Sequence, residues 1–178
     1  MMRYGFVLLT SARQQWVYRG EMVARAAQMV LFVAVFMAVW TAAFGVSGRE
    51  ELEGYTLAQM LWYVAMTETV LLSASRIYAE IAEAVRAGDL AYTLARPLGY
   101  PLFQVANSLG GSLPRFALNL VTASAVVLVG LRQVEGSLPG LVAFLVLAAL
   151  ALVLDALLAV LIGLAAFWLE EVTPVYWI

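Results

Sequence analysis

The run Ala26 to Val46, AAQMVLFVAVFMAVWTAAFGV, carries no charge and is as long as the roughly twenty residues an α-helix needs to cross a bilayer. Such a run has few fates in water. It is too long for an ordinary core helix and too apolar on every side for an amphipathic one. Three further stretches read as spans, at about 55–78, 113–131 and 141–167. The remaining sequence agrees, with 64% of residues hydrophobic and 12% charged, where a soluble domain has nearer half and a quarter. The fold class expected is all-α, a polytopic helical membrane protein with about four spans.

Residues 1–25 read differently. Tyr4, Val7 and Leu8 alternate with Arg3, Arg13, Arg19 and Arg25, too polar for the apolar centre of a signal peptide. Two readings stand: an amphipathic cytoplasmic helix on the membrane surface, anchored by Trp16 and Tyr18, or a plain cytoplasmic tail. Residues 26–178 form the transmembrane domain. Between its spans, SGREELEG and RQVEGS are short polar turns. NSLGGSLP, ahead of the third span, is rich in breakers, so that helix either starts at Leu113 or starts earlier and bends at Gly110, Gly111 or Pro114. The last residues, EEVTPVYWI, read as the start of a fifth span, as in a chain cut short.

Orientation follows from arginine. With the N-terminus inside, Arg3, Arg13, Arg19, Arg25, Arg76, Arg86, Arg96 and Arg115 sit at cytoplasmic ends, and only Arg49 and Arg132 lie outside.

The missing residue types exclude chemistry. The sequence has no histidine and no cysteine, and every one of its ten cations is arginine. A Ser-His-Asp or Cys-His nucleophile, a histidine-held metal, a Schiff base and a thiol redox couple are all out of reach. A Walker A loop needs a lysine, so ATP is not hydrolysed here by that route. No catalytic residue, metal or cofactor is expected. The net charge of −2 gives no basic field for nucleic acid.

Two carboxylates stand in apolar spans. Asp155 falls on a stripe of small residues, Ala148, Ala151, Ala159, Gly163 and Ala166, so it should face protein. A carboxyl there costs roughly 2.5–3.5 kcal/mol unless paired, protonated or wetted. It either lines a path or proton site, or is clasped by a polar group such as Asn119 or Thr122. Glu68 poses the same choice. If the two meet, one would be protonated and suited to proton transfer, which is the basis for a proton-linked carrier or channel. An aspartyl-type hydrolysis is the remoter reading.

The cytoplasmic loop at about 79–101 concentrates charge in an apolar chain. Tyr78 to Ala87 is a strong helix former, with Glu80 in its first turn and Glu83 three residues before Arg86. Gly88 suits a C-terminal cap, Asp89 can cap the next segment, and Leu90, Tyr92, Leu94 and Leu98 offer apolar contacts. The helix either docks a partner or lies on lipid.

Here the residues carry a resemblance. Ile81, then Arg86-Ala87-Gly88-Asp89-Leu90, then Leu94-Ala95-Arg96-Pro97, resemble the Gly-Asp-Leu…Arg-Pro signature of permease subunits of bacterial type-2 ABC exporters, the ABC-2 family transporter proteins. Trp16-Val17-Tyr18-Arg19 look like that family's Tyr-Arg before the first span, and Phe167-Trp168-Leu169-Glu170-Glu171 like its Phe-Trp-x-acid after the fourth. The resemblance implies a six-span subunit in the bacterial cytoplasmic membrane, working as a homo- or heterodimer with a second permease subunit. It implies transport by alternating access, driven by a separate ABC ATPase. Glu80, Glu83, Arg86, Gly88, Asp89, Leu90, Arg96 and Pro97 would couple the two. Against six spans, four and the start of a fifth imply that the last third is absent. A non-transporting scaffold subunit is the third reading beside exporter and carrier.

Overall fold

The computed structural model describes residues 2–89, 98–133 and 136–169. Its elements are α1 (Met2–Val17), α2 (Arg19–Ser47), β1 (Glu51–Leu52), β2 (Tyr55–Thr56), α3 (Leu57–Leu71), α4 (Ile77–Arg86), α5 (Tyr100–Leu131) and α6 (Leu138–Leu164). A 3₁₀ turn, Ala165–Phe167, closes α6. Among the described residues, three helices are long and apolar enough to cross a membrane: Arg19–Ser47, Tyr100–Leu131 and Leu138–Phe167.

Two compact units emerge. One gathers Met1–Val17, Ala74–Pro114 and Ala148–Ile178; the other gathers Tyr18–Ser73 and Arg115–Leu147. Helices α5 and α6 each supply one part to either unit.

In the second unit, α2 is the uncharged run seen in the sequence, extended backward to Arg19. The chain breaks between α1 and α2 at Tyr18, so Arg19 to Arg25 belong to the spanning helix and not to the N-terminal one. Glu21 accepts from the Arg25 guanidinium at 2.6 Å one turn on, an exposed pair of little energetic weight. Helix α2 ends where Gly48 turns left-handed at φ 60° and its N–H closes on the Phe44 carbonyl. The polar turn after it is a small antiparallel hairpin. Leu52 pairs with Tyr55, and Glu53 and Gly54 between them both have positive φ, 51° and 82°, as a type I′ turn requires. Thr56 then caps α3, accepting from the Gln59 N–H while the Gln59 side chain accepts from the Thr56 N–H.

The second expected span is not one helix. Helix α3 has 15 residues, about 22 Å, short of the roughly 30 Å hydrocarbon core, and the chain leaves helix over 72–76 before α4 begins. The cause is side-chain competition for backbone. The buried Ser73 hydroxyl donates to the Thr69 carbonyl, and its own N–H bonds Val70 in a tightened turn. The core of this unit is Met29, Val33, Leu61, Ala65, Ala123 and Val127.

Of the two starts open for the third span, the earlier one holds. NSLGGSLP does not delay the helix, because α5 starts at Tyr100 and runs for 32 residues through Pro114. Ala106, Ser108, Gly110, Gly111, Ser112 and Pro114 are all buried, so this stretch is a packing surface where small side chains admit neighbours closely. Arg115 of α5 lies within electrostatic reach of Glu21 near the start of α2.

In the first unit the core is Ile77, Tyr78, Ile81, Ala82, Tyr100, Ala159 and Val160, drawn from α4, the start of α5 and the end of α6. The fifth segment expected at the chain end lies outside the described residues.

Candidate functional site

The charged loop of the sequence is built on α4, and α4 is strongly two-faced. Ile77, Tyr78, Ile81 and Ala82 are buried, with Val85 half-buried, at the three- and four-residue spacing of one helix face. Glu80, Glu83 and Arg86 are exposed on the other, and Asp89 is exposed beyond the helix end. Glu80 stands in the first turn and Arg86 in the last, each where the helix dipole favours its sign. Glu83 and Arg86, three residues apart on α4, form no ion pair. An exposed pair at that spacing is worth only tenths of a kcal/mol, which solvation of both groups outweighs.

The buried face is seated on the end of α6. A methyl placed on Gly163 would lie 2.8 Å from the Ile81 Cβ and 3.1 Å from the Tyr78 Cα, so α4 rests directly on the α6 backbone there. The small-residue stripe of the sequence therefore exists, rotated slightly. The buried line is Ala148, Leu152, Ala156, Ala159, Val160 and Gly163, with Ala151 exposed and Ala166 half-buried. Beyond the helix, Gly88 adopts φ 75° and its N–H bonds the Val85 carbonyl at 3.2 Å, so it terminates α4 as expected. Leu90, Arg96 and Pro97 lie outside the described residues.

The two intramembrane candidates fall in different units. Glu68 is half-buried in the last turn of α3 in the second unit, and Asp155 is half-buried in α6 of the first, at the edge of the buried line. Asn119 Nδ2 donates at 3.1 Å to the Ser73 hydroxyl, and Asn119, Ser73 and Thr69 are all buried. With Thr69 donating to the Ala65 carbonyl at 2.7 Å, this is a polar ladder fixing the end of α3 to α5. Among the described residues no three metal-ligating side chains gather.

A second docking was not anticipated. Helix α1 lies against the first turns of α5 by its Tyr4–Leu8–Ser11 side. The Tyr4 hydroxyl accepts from the Gly99 N–H at 3.1 Å, and Ser11 donates to the Asn107 side-chain carbonyl at 2.6 Å. A methyl on Gly110 would sit 2.5 Å from the Leu8 carbonyl oxygen, so only glycine fits this approach. The signal was present in NSLGGSLP, whose small residues are those that admit a crossing helix. Likewise Ile77, Ile81 and Val85, at four-residue spacing, mark the face that meets Gly163. The start of α5 is thus held by α1 on one side and by the α4 cluster through Tyr100 on the other.

The family model described as ABC-2 family transporter protein covers residues 22–178. No curated protein and no solved structure matches.

Proposed function

The chain belongs to the family of ABC-2 transporter proteins, and from that membership we propose that it is the membrane-spanning subunit of an ATP-driven exporter in the bacterial cytoplasmic membrane. Its N-terminus is cytoplasmic, and it pairs with a second permease subunit. A separate ATPase supplies the hydrolysis for which this sequence lacks a Walker lysine. Substrate crosses by alternating access, as ATP binding and release in the partner moves the cytoplasmic ends of the spans.

One observation carries the reading. Helix α4 buries Ile77, Tyr78 and Ile81 against the end of α6, and turns Glu80, Glu83, Arg86 and Asp89 outward. A force applied to that charged face has a stiff route into a membrane-crossing helix, because Ile81 has no slack against Gly163. An interfacial helix lying on lipid would instead turn apolar residues outward. Glu80, Glu83, Arg86, Gly88 and Asp89 are the coupling residues in this account, with Leu90, Arg96 and Pro97 continuing the segment. Asp89→Arg is expected to abolish substrate-stimulated ATPase activity while leaving membrane insertion intact. Unchanged stimulation in that variant would refute a coupling role for the segment.

A further inference from the structure

Hydroxyls in and beside the helices of this chain share a habit. Thr10 donates to the Phe6 carbonyl, Thr67 to Tyr63, Thr69 to Ala65 and Ser73 to Thr69, each four residues back. Ser108 of α5 departs from it. This serine is 2% exposed, and its hydroxyl has no hydrogen-bond partner among the described residues. Buried hydroxyls are nearly always bonded, to protein or to ordered water, because an unmet one keeps the full cost of leaving water.

The neighbours of Ser108 within its own unit narrow what can meet it. Gln104 and Ser112 stand one turn either way on α5, so the three share a side of the helix. Ser112 is also 2% exposed. Gln104 is half-buried, and its amide nitrogen donates to the Tyr100 hydroxyl at 2.9 Å, which leaves its oxygen as an acceptor. Gly111, buried between the two serines in sequence, contributes no side chain to cover them. Residues four apart on a helix are separated by about 6 Å of rise, a gap that one water spans with two hydrogen bonds of about 2.8 Å. A place this closed admits no lipid tail, and an apolar guest would leave the hydroxyl unmet.

We propose that the Gln104–Ser108–Ser112 side of α5 binds an internal water, anchored by the Ser108 hydroxyl and shared with Ser112. With the Gln104 oxygen on the preceding turn, these groups supply the roughly two to four polar partners that a buried water requires. The water completes a polar column that begins at Tyr100, inside a unit whose core is otherwise largely aliphatic.

The test is water-to-protein magnetisation transfer, read by solid-state NMR on the full chain in lipid bilayers. Transfer to Ser108 and Ser112 should be severalfold faster than to Ala156 and Ala159, which are just as buried in the same unit, at 1% and 0% exposure. Ser108→Ala should slow transfer at Ser112 to the rate of those alanines, and should lower the thermal unfolding midpoint. Transfer to native Ser108 as slow as to Ala159 would overturn the proposal, and would mark a hydroxyl that turns back to the Gln104 carbonyl as the others do. Rapid transfer at Ser112 that Ser108→Ala leaves unchanged would overturn it too, since Ser108 would not be the anchor. A raised midpoint in Ser108→Ala would show a hydroxyl buried dry, with the same consequence.

Discussion

Gly163 of α6 and Ile81 of α4 stand so close that the glycine's missing methyl would lie 2.8 Å from the isoleucine Cβ. This contact joins the charged loop helix to a membrane-crossing helix without an intervening flexible side chain. Gly163→Ala should therefore invert the usual gain of about 1 kcal/mol from removing a helical glycine, and destabilise by about 1–3 kcal/mol through overpacking. Gly45→Ala is the control, since a methyl there meets nothing within 4 Å. Thermal unfolding in detergent should lower the midpoint for the first variant and not for the second.

At Gly110 the obstruction is backbone, the Leu8 carbonyl at 2.5 Å, together with the Ser11 Cβ at 2.7 Å. Gly110→Ala should push α1 off α5, with loss of the Ser11–Asn107 and Tyr4–Gly99 hydrogen bonds. Amide hydrogen exchange over residues 2–17 should quicken, while exchange in α2 stays unchanged. Slow exchange over 2–17 in this variant would show that α1 is held by something other than its seat on α5.

The ladder at the end of α3 makes a different demand. Ser73→Ala removes the acceptor of the buried Asn119 amide and should cost about 1–3 kcal/mol. Adding Asn119→Leu removes the stranded donor as well, and the double variant should be less destabilised than Ser73→Ala alone. A double variant whose cost equals or exceeds the sum of the single costs would mean that the pair is not the unit of stabilisation.

Much of this was readable from residue order. The uncharged run at 26–46 announced α2, Gly88 announced the end of α4, and the charged loop announced an exposed face. What escaped has physical causes. VLLSASR, which interrupts the second span, contains no glycine or proline. Its break comes from Ser73 bonding a carbonyl and from the Asn119 partner, a contact spanning 46 positions that no local pattern displays. NSLGGSLP left the start of the third span open between Leu113 and an earlier residue. In water such a run ends helices, but where helices pack in lipid its small side chains are what allow approach, and α5 continues through it. Asn119 was marked in the sequence only as a polar group on an apolar helix, and residue order alone could not show that Ser73, 46 positions away, accepts its hydrogen bond.

The central claim is that the outward face of α4 receives an ATPase, and the most direct measurement is recovery of that partner. Tagged native chain and a variant carrying Glu80→Arg, Glu83→Arg and Asp89→Arg are extracted in mild detergent from their own membrane, and the retained proteins are identified by mass spectrometry. The account expects a Walker-A-bearing ATPase with the native chain, absent from the variant although both insert equally. Equal recovery of the ATPase from both, or none from a well-folded native chain, would contradict it.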